Sequence, residues 1–316
     1  MLTVSLSLLL AITPAVAHTQ TGKTLVVWDE QSRIHANELL VAPESPNAQS
    51  TPDVAALDDF FYVVWREGSR AYGRVVFDGR TLGPITDLGD AYQRPSVAAD
   101  IDGFVVVLQQ TQRIDVVHVS PIGNVMKHEP MNVSYIPPPP GPAVACDGPN
   151  CAMVWLESIA TSGCTPHFCN LVAEVRARRL GSNPIDVAGV AASVNHLAIA
   201  VKPNGDFAVI WSDGSNTNFA LVEGDRVIRS NASLRGAKPA IGWDGASYIA
   251  ARNVDGDLIG TRIGSEWEVS DFTISASPGV ERDADVSMPF VVYEREGMVI
   301  IRDLSTRPRE RAERFR

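Results

Sequence analysis

Apolar residues recur along this chain as pairs of short runs separated by a tight polar turn. The clearest copy is Pro142 to Glu157, PAVACDGPNCAMVWLE. In it Ala143-Val144-Ala145 is a small, β-branched run, Asp147-Gly148-Pro149-Asn150 supplies turn chemistry, and Ala152-Met153-Val154-Trp155 resumes the apolar run. This pattern predicts strand, turn, strand. Related segments open at Pro52 (PDVAALDDFFYVVWRE), Pro95 (PSVAADIDGFVVVLQQ), Pro239 (PAIGWDGASYIAARN) and, with one added turn residue, Pro14 (PAVAHTQTGKTLVVWDE). Ala198 to Asp213 lacks the proline, and Val280 to Arg295 keeps mainly its second strand.

The second strand of each unit is predicted to end at Trp28, Trp65, Leu108, Trp155, Trp211, Ala251 and Tyr293. The period is roughly 37 to 56 residues, the range of propeller blades. A third β-rich run follows each end, at Arg33 to Val41, Ala71 to Phe77, Arg113 to Val119, Leu171 to Leu180, Asn218 to Glu223, Asp257 to Ile263 and Met298 to Arg302. A weaker fourth run follows most of them. A repeated four-stranded unit buries both faces of its sheet only by packing against its neighbours around an axis. The expected fold class is therefore all-β, a β-propeller of four-stranded antiparallel blades, with seven blades expected and six as the alternative.

The 56-residue interval is accounted for by an insertion, Ser158 to Asn170, and Tyr135 to Pro142 reads as a polyproline II connector between blades. Leu2 to Ile12 is an apolar run followed by Ala15-Val16-Ala17, a small-x-small pattern that marks residues 1–17 as a signal peptide, although no Lys or Arg precedes the run. The alternative is that Thr3 to Leu8, with its alternating pattern, closes the ring and Pro14 to Ala17 forms the first inner strand. With residues 1–17 as the signal peptide, the propeller occupies 18–303. An Arg-rich tail without strand character, 304–316, is expected to be flexible, which leaves the last blade short of a fourth strand.

A formal charge of -10 argues against a nucleic-acid partner, because a phosphate-binding face would have to be built against the net charge. No run reaches the 18 or more apolar residues of a membrane-spanning helix. The cysteines are spaced C-x4-C twice. Cys146 and Cys151 flank a four-residue turn where an S–S bond fits, and Cys164 with Cys169 would staple the insertion; oxidised pairs imply a secreted, periplasmic or cell-surface location. No metal site is assigned.

Motifs for catalysis are lacking: there is no nucleophile elbow, H-E-x-x-H, P-loop or dinucleotide fingerprint. Ser212 to Phe219 is the nearest approach to a sialidase-type Asp box, with the wrong spacing. The inner-strand centres Val54-Ala55-Ala56, Val97-Ala98-Ala99, Val144-Ala145 and Ile241-Gly242 are uncharged, and only Glu281, Arg282, Asp283 and Asp285 bring charge to an inner strand. Three D-x-D pairs (Asp100 with Asp102, Asp255 with Asp257, Asp283 with Asp285) fit turns better than a calcium loop, so no cofactor is expected and calcium is the minor alternative. One constellation remains. Polar residues sit two places beyond the second-strand ends, including Glu30, Glu67, Glu157 and Asp213, with Arg94 and Lys238 at inner-strand entrances on the same face. These six are the candidate ligand-binding residues, against the plainer explanation that they are ordinary hairpin positions.

The pattern P-x-V-A-x-D-G-x-N-C-x-x-V-W of Pro142 to Trp155 resembles the repeats of exported bacterial β-propeller proteins. That resemblance covers nearly the whole chain and implies architecture rather than activity, since propellers host hydrolases, lyases, binders and scaffolds alike. The expected function is an exported binding or interaction module for a small ligand, glycan or protein partner. A carbohydrate-active hydrolase or lyase is the alternative, and a structural scaffold the second. The hydrolase requires at least two carboxylates converging in one inner cavity.

Overall fold

A computed structural model of the chain describes residues 13–134, 140–160, 171–190, 194–230, 233–264, 268–276, 279–305 and 309–313. It contains seven antiparallel four-stranded sheets at residues 15–40, 49–90, 96–132, 143–190, 196–235, 237–275 and 281–313, each built from consecutive strands. We number them blades 1 to 7. Blade 5 adds a two-residue strand, Leu234–Arg235. There is no helix among the described residues. The inner strands Ala15–His18, Gln49–Leu57, Ser96–Ala99, Ala143–Asp147, His196–Val201, Ala237–Trp243 and Glu281–Ser287 pack in succession, and the seventh returns to the first. The fold is a seven-bladed β-propeller.

Packing explains why the repeat has its pattern. One cluster of buried apolar side chains fills each of the seven contacts between neighbouring blades. Trp65 lies between blades 1 and 2, Trp155 between 3 and 4, Trp211 between 4 and 5, and Trp28 at the seam of 7 and 1. Each clusters with valines of the preceding blade (Val27, Val107, Val154 and Val292 respectively), so the aromatic at the second-strand end serves as the wedge of these contacts.

Blade 6 departs from the expectation. Ala240 pairs with Ala251 where Ala143 pairs with Val154, so the counterpart of Trp155 is Arg252 rather than Ala251. Arg252 is only 3% exposed. It donates from Nε to Thr261 Oγ1 (2.9 Å), from one terminal nitrogen to Asp271 (2.6 Å) and from the other to the Arg235 carbonyl of blade 5. A buried guanidinium is tolerated because these acceptors surround it.

Both ends of the chain differ from the sequence expectation. The run Arg33 to Val41 folds back on itself as Arg33–Ala36 and Leu39–Leu40, with Asn37 in a left-handed turn (φ 47), and supplies two strands of blade 1 instead of one. Blade 7 takes its fourth strand, Arg309–Glu313, from the Arg-rich tail, paired along Met298–Asp303. It does not depend on Thr3 to Leu8, which lie outside the described residues. The small-x-small motif is itself inner strand: Ala15, Val16 and Ala17 are buried and pair with Val27, Val26 and Leu25.

Cys146 and Cys151 face each other across the blade 4 hairpin and are disulfide-bonded, with Cα atoms 4.1 Å apart. Cys164 and Cys169 lie outside the described residues.

Candidate functional site at the channel mouth

Hairpin register makes the inner strands comparable position by position. Ala143 of blade 4 stands level with Ala15, Asp53, Ser96, Ala198, Ala240 and Asp285 in the other blades. Two residues earlier, one layer nearer the mouth, stand Thr13, Thr51, Arg94, Gly141, His196, Lys238 and Asp283. Small residues dominate the inner layer, and the charged exceptions are Asp53 and Asp285. A bulge precedes the inner layer in blades 2, 6 and 7, where Thr51, Lys238 and Asp283 take the same left-handed backbone (φ 51, 48 and 47). Holding non-glycine residues there costs of order 1 kcal/mol each, a strain typical of positions that re-aim a side chain. Blade 4 uses Gly141, whose added Cβ would stand 2.8 Å from the Arg94 carbonyl.

These layers open into a cavity of about 700 Å³ on the axis, whose polar lining includes Thr51, Asp53, Arg94, Asn195, His196 and Asp285. The next layer of the wall is Ala17, Ala55, Ala98, Ala145 and Ala200 with Ser287, and His18 and Asp147 line the cavity beyond it. The volume falls in the range of small-molecule sites.

The two carboxylates brace the ring. Asp285 Oδ2 accepts the Val16 N–H of blade 1 (2.8 Å), and Asp53 Oδ2 accepts the Val97 N–H of blade 3 (2.9 Å). Asp53 also accepts from the Arg94 guanidinium at 3.3 Å. Asp285 has no Lys or Arg partner among the described residues. Burial, reinforced by the neighbouring Asp53 charge and opposed by Arg94 and by the Val16 and Val286 amides, pushes its carboxyl up to about 6. Burial and the Arg94 charge hold the His196 imidazole down to about 4, against the opposing pull of Asp283. Lys238 pairs with Asp283 at 2.5 Å beside the cavity.

Of the six residues singled out from sequence, Arg94 lines this cavity and Lys238 stands next to it. The four carboxylates are on the same face but farther out, at the turns after the second strands, and three have local partners. Glu67 accepts from Ser45 and from Gln49 (3.3 Å), Glu157 from Arg176 (2.7 Å), and Asp213 from the Asn216 and Ser215 amides (2.9 and 3.2 Å). Those amides hold the Asp213 carboxyl below its ordinary range. Glu30 ends its strand opposite Arg33. Among the D-x-D carboxylates, Asp100 accepts its own turn amide, Asp255 pairs with Arg235 and Asp283 with Lys238. Asp53 and His196 were missed. Asp53 occupies the x of P-x-V, where the other proline-led copies carry Ala15, Ser96, Ala143 and Ala240, and that departure was the available signal.

No protein-family model matches the chain, and no curated protein matches it. Solved structures do. The Dos1 propeller superposes with a TM-score of 0.53 at 11% identity, over 94% of this chain and 82% of that one. Hydrazine synthase of Kuenenia stuttgartiensis gives 0.55 at 13% identity, over 83% and 78%, and Hsv2 of Kluyveromyces lactis gives 0.52 at 11%, over 96% and 98%. At such identities the likeness is one of fold alone.

Proposed function

We propose that this protein is an exported binding module whose channel mouth receives a small polyhydroxylated ligand. The observation that carries the reading is the convergence of hydroxyl, amide, imidazole, guanidinium and carboxylate groups from blades 2, 3, 5 and 7 on one cavity of about 700 Å³. Adjacent donors and acceptors of this kind match vicinal hydroxyl groups, each of which both gives and receives a hydrogen bond. Glu30, Glu67, Glu157 and Asp213 form an outer rim on the same face, available to extended glycans or a protein partner. The Cys146–Cys151 bond supports an oxidising, extracytoplasmic setting.

A glycan array read beside isothermal titration of hits tests the proposal. Arg94→Gln and His196→Ala should each weaken binding at least tenfold while the fold is kept. Charge-neutralising the four rim carboxylates together should matter only for ligands longer than the cavity. Binding that survives both cavity substitutions would place the site elsewhere.

A further inference from the structure

The cavity holds two carboxylates in opposite surroundings. Asp53 accepts from the Arg94 guanidinium of blade 3 and from the Val97 backbone amide. Asp285 accepts the Val16 amide, has no cation paired with it among the described residues, and faces the negative charge of Asp53. Two acids whose environments separate them in this way suit the two roles of acid–base hydrolysis. The other charged or titratable groups around them are Arg94, His196, Lys238 and Asp283, and His18, Arg66 and Asp147 line the same cavity farther off.

We infer that the channel mouth hydrolyses a glycosidic bond, with Asp285 as the general acid and Asp53 as the general base, an inference that rests on the polyhydroxylated-ligand reading above. As the bond from the anomeric carbon to the bridging oxygen breaks, its electron pair stays on that oxygen, which takes the Asp285 proton. Water attacks the anomeric carbon and gives its proton to Asp53. One water is consumed, a free sugar and an alcohol leave, and proton exchange with solvent restores both carboxyls. Arg94 acts as a positioning residue that holds the Asp53 carboxylate in place. His196, neutral above about pH 4, is a hydrogen-bonding partner rather than a second acid.

The test uses the full chain and a panel of 4-nitrophenyl and methyl glycosides of common hexoses, followed by product analysis. The expected result is turnover of at least one sugar series. Asp53→Asn should reduce it for both leaving groups by about 10²–10⁴-fold. Asp285→Asn should reduce it strongly for the methyl glycoside and little for the nitrophenyl one, whose leaving group needs no proton; a merely structural role would not make that distinction. Activity should fall as pH rises above about 6, where Asp285 loses its proton. Asparagine keeps an acceptor for the Val16 or Val97 amide, and melting curves check that each variant folds. Binding without turnover, or turnover indifferent to both variants, overturns the inference and leaves the ligand reading standing. Neither binding nor turnover overturns both.

Discussion

The first inner strand and the apparent signal cleavage site compete for the same residues, and a chain that begins at His18 tests which use they have. Such a chain lacks Ala15, Val16 and Ala17, all buried, and the ladder they make with Leu25, Val26 and Val27. It also loses the Val16 N–H from Asp285 and the Thr13 N–H and hydroxyl from Asp29 (2.8, 2.7 and 2.7 Å). Burial of one valine and two alanine side chains contributes about 3–5 kcal/mol, and the neighbouring surface they cover contributes a similar amount. The ladder and anchoring hydrogen bonds add about 1 kcal/mol each, some five in all. Ordering the five backbone residues Thr13 to Ala17 costs about 8 kcal/mol. The net loss is about 5 kcal/mol, a large part of the 5–15 kcal/mol that stabilises most proteins. At about 2–3 °C per kcal/mol, the melting temperature should drop by roughly 10 °C. Thermal unfolding and size-exclusion chromatography of chains beginning at Met1, Thr13 and His18 measure this. The first two should behave alike and the third should melt lower and self-associate through its newly open strand edge. A His18 chain that melts within 2 °C of the others and stays monomeric would refute the reasoning and restore residues 1–17 as a removable leader.

Trp155→Ala should cost about 3–5 kcal/mol in chemical denaturation, whereas Trp155→Phe should cost under about 1.5, because the indole N–H is buried without a partner and its loss offsets part of the lost contact. Replacing Cys146 and Cys151 by serine should lower stability by about 2 kcal/mol, the chain-entropy value for so short a loop, and non-reducing peptide mapping should show that bond together with one between Cys164 and Cys169. Asp285 holds its proton more tightly in the folded chain, about 6 against 3.8, so its contribution makes stability fall as pH rises across that window. His196 is the reverse, about 4 against 6.5, and makes stability rise with pH. The two slopes oppose each other in the native protein. Melting temperature against pH should therefore rise from pH 4 to 6.5 in Asp285→Asn and fall from pH 4 to 6 in His196→Gln, and the opposite signs would contradict the burial of these groups.

The architecture was legible because the repeat carries it locally. The strand-turn-strand pattern of Pro142 to Glu157 survives in enough copies that blade number follows from counting. Where the pattern changed residue type, the reading slipped: Arg252 stands in a tryptophan's place, and only the pairing of Ala240 with Ala251 shows it. The tail misled for a related reason, since Arg309–Glu313 has little intrinsic strand character and is held by its partner strand. The site was harder to see. Cavity residues come from blades far apart in the chain, and nothing in the spacing of Asp53, His196 and Asp285 announces that a ring will bring them together. The turn carboxylates are conspicuous in sequence because they follow the tryptophans, yet three of them are occupied with local bonds.

The bulged entrance of the inner strands separates two demands that most proteins must reconcile at each residue. Thr13, Thr51, Arg94, Gly141, His196, Lys238 and Asp283 stand at one structural position in seven blades, and hydroxyl, guanidinium, imidazole, ammonium and carboxylate groups are all represented among them. The valines and tryptophans that wedge the blades lie elsewhere in the repeat and need not change when these do. Chemistry at the mouth can therefore be rewritten one blade at a time without reopening the question of whether the ring will fold.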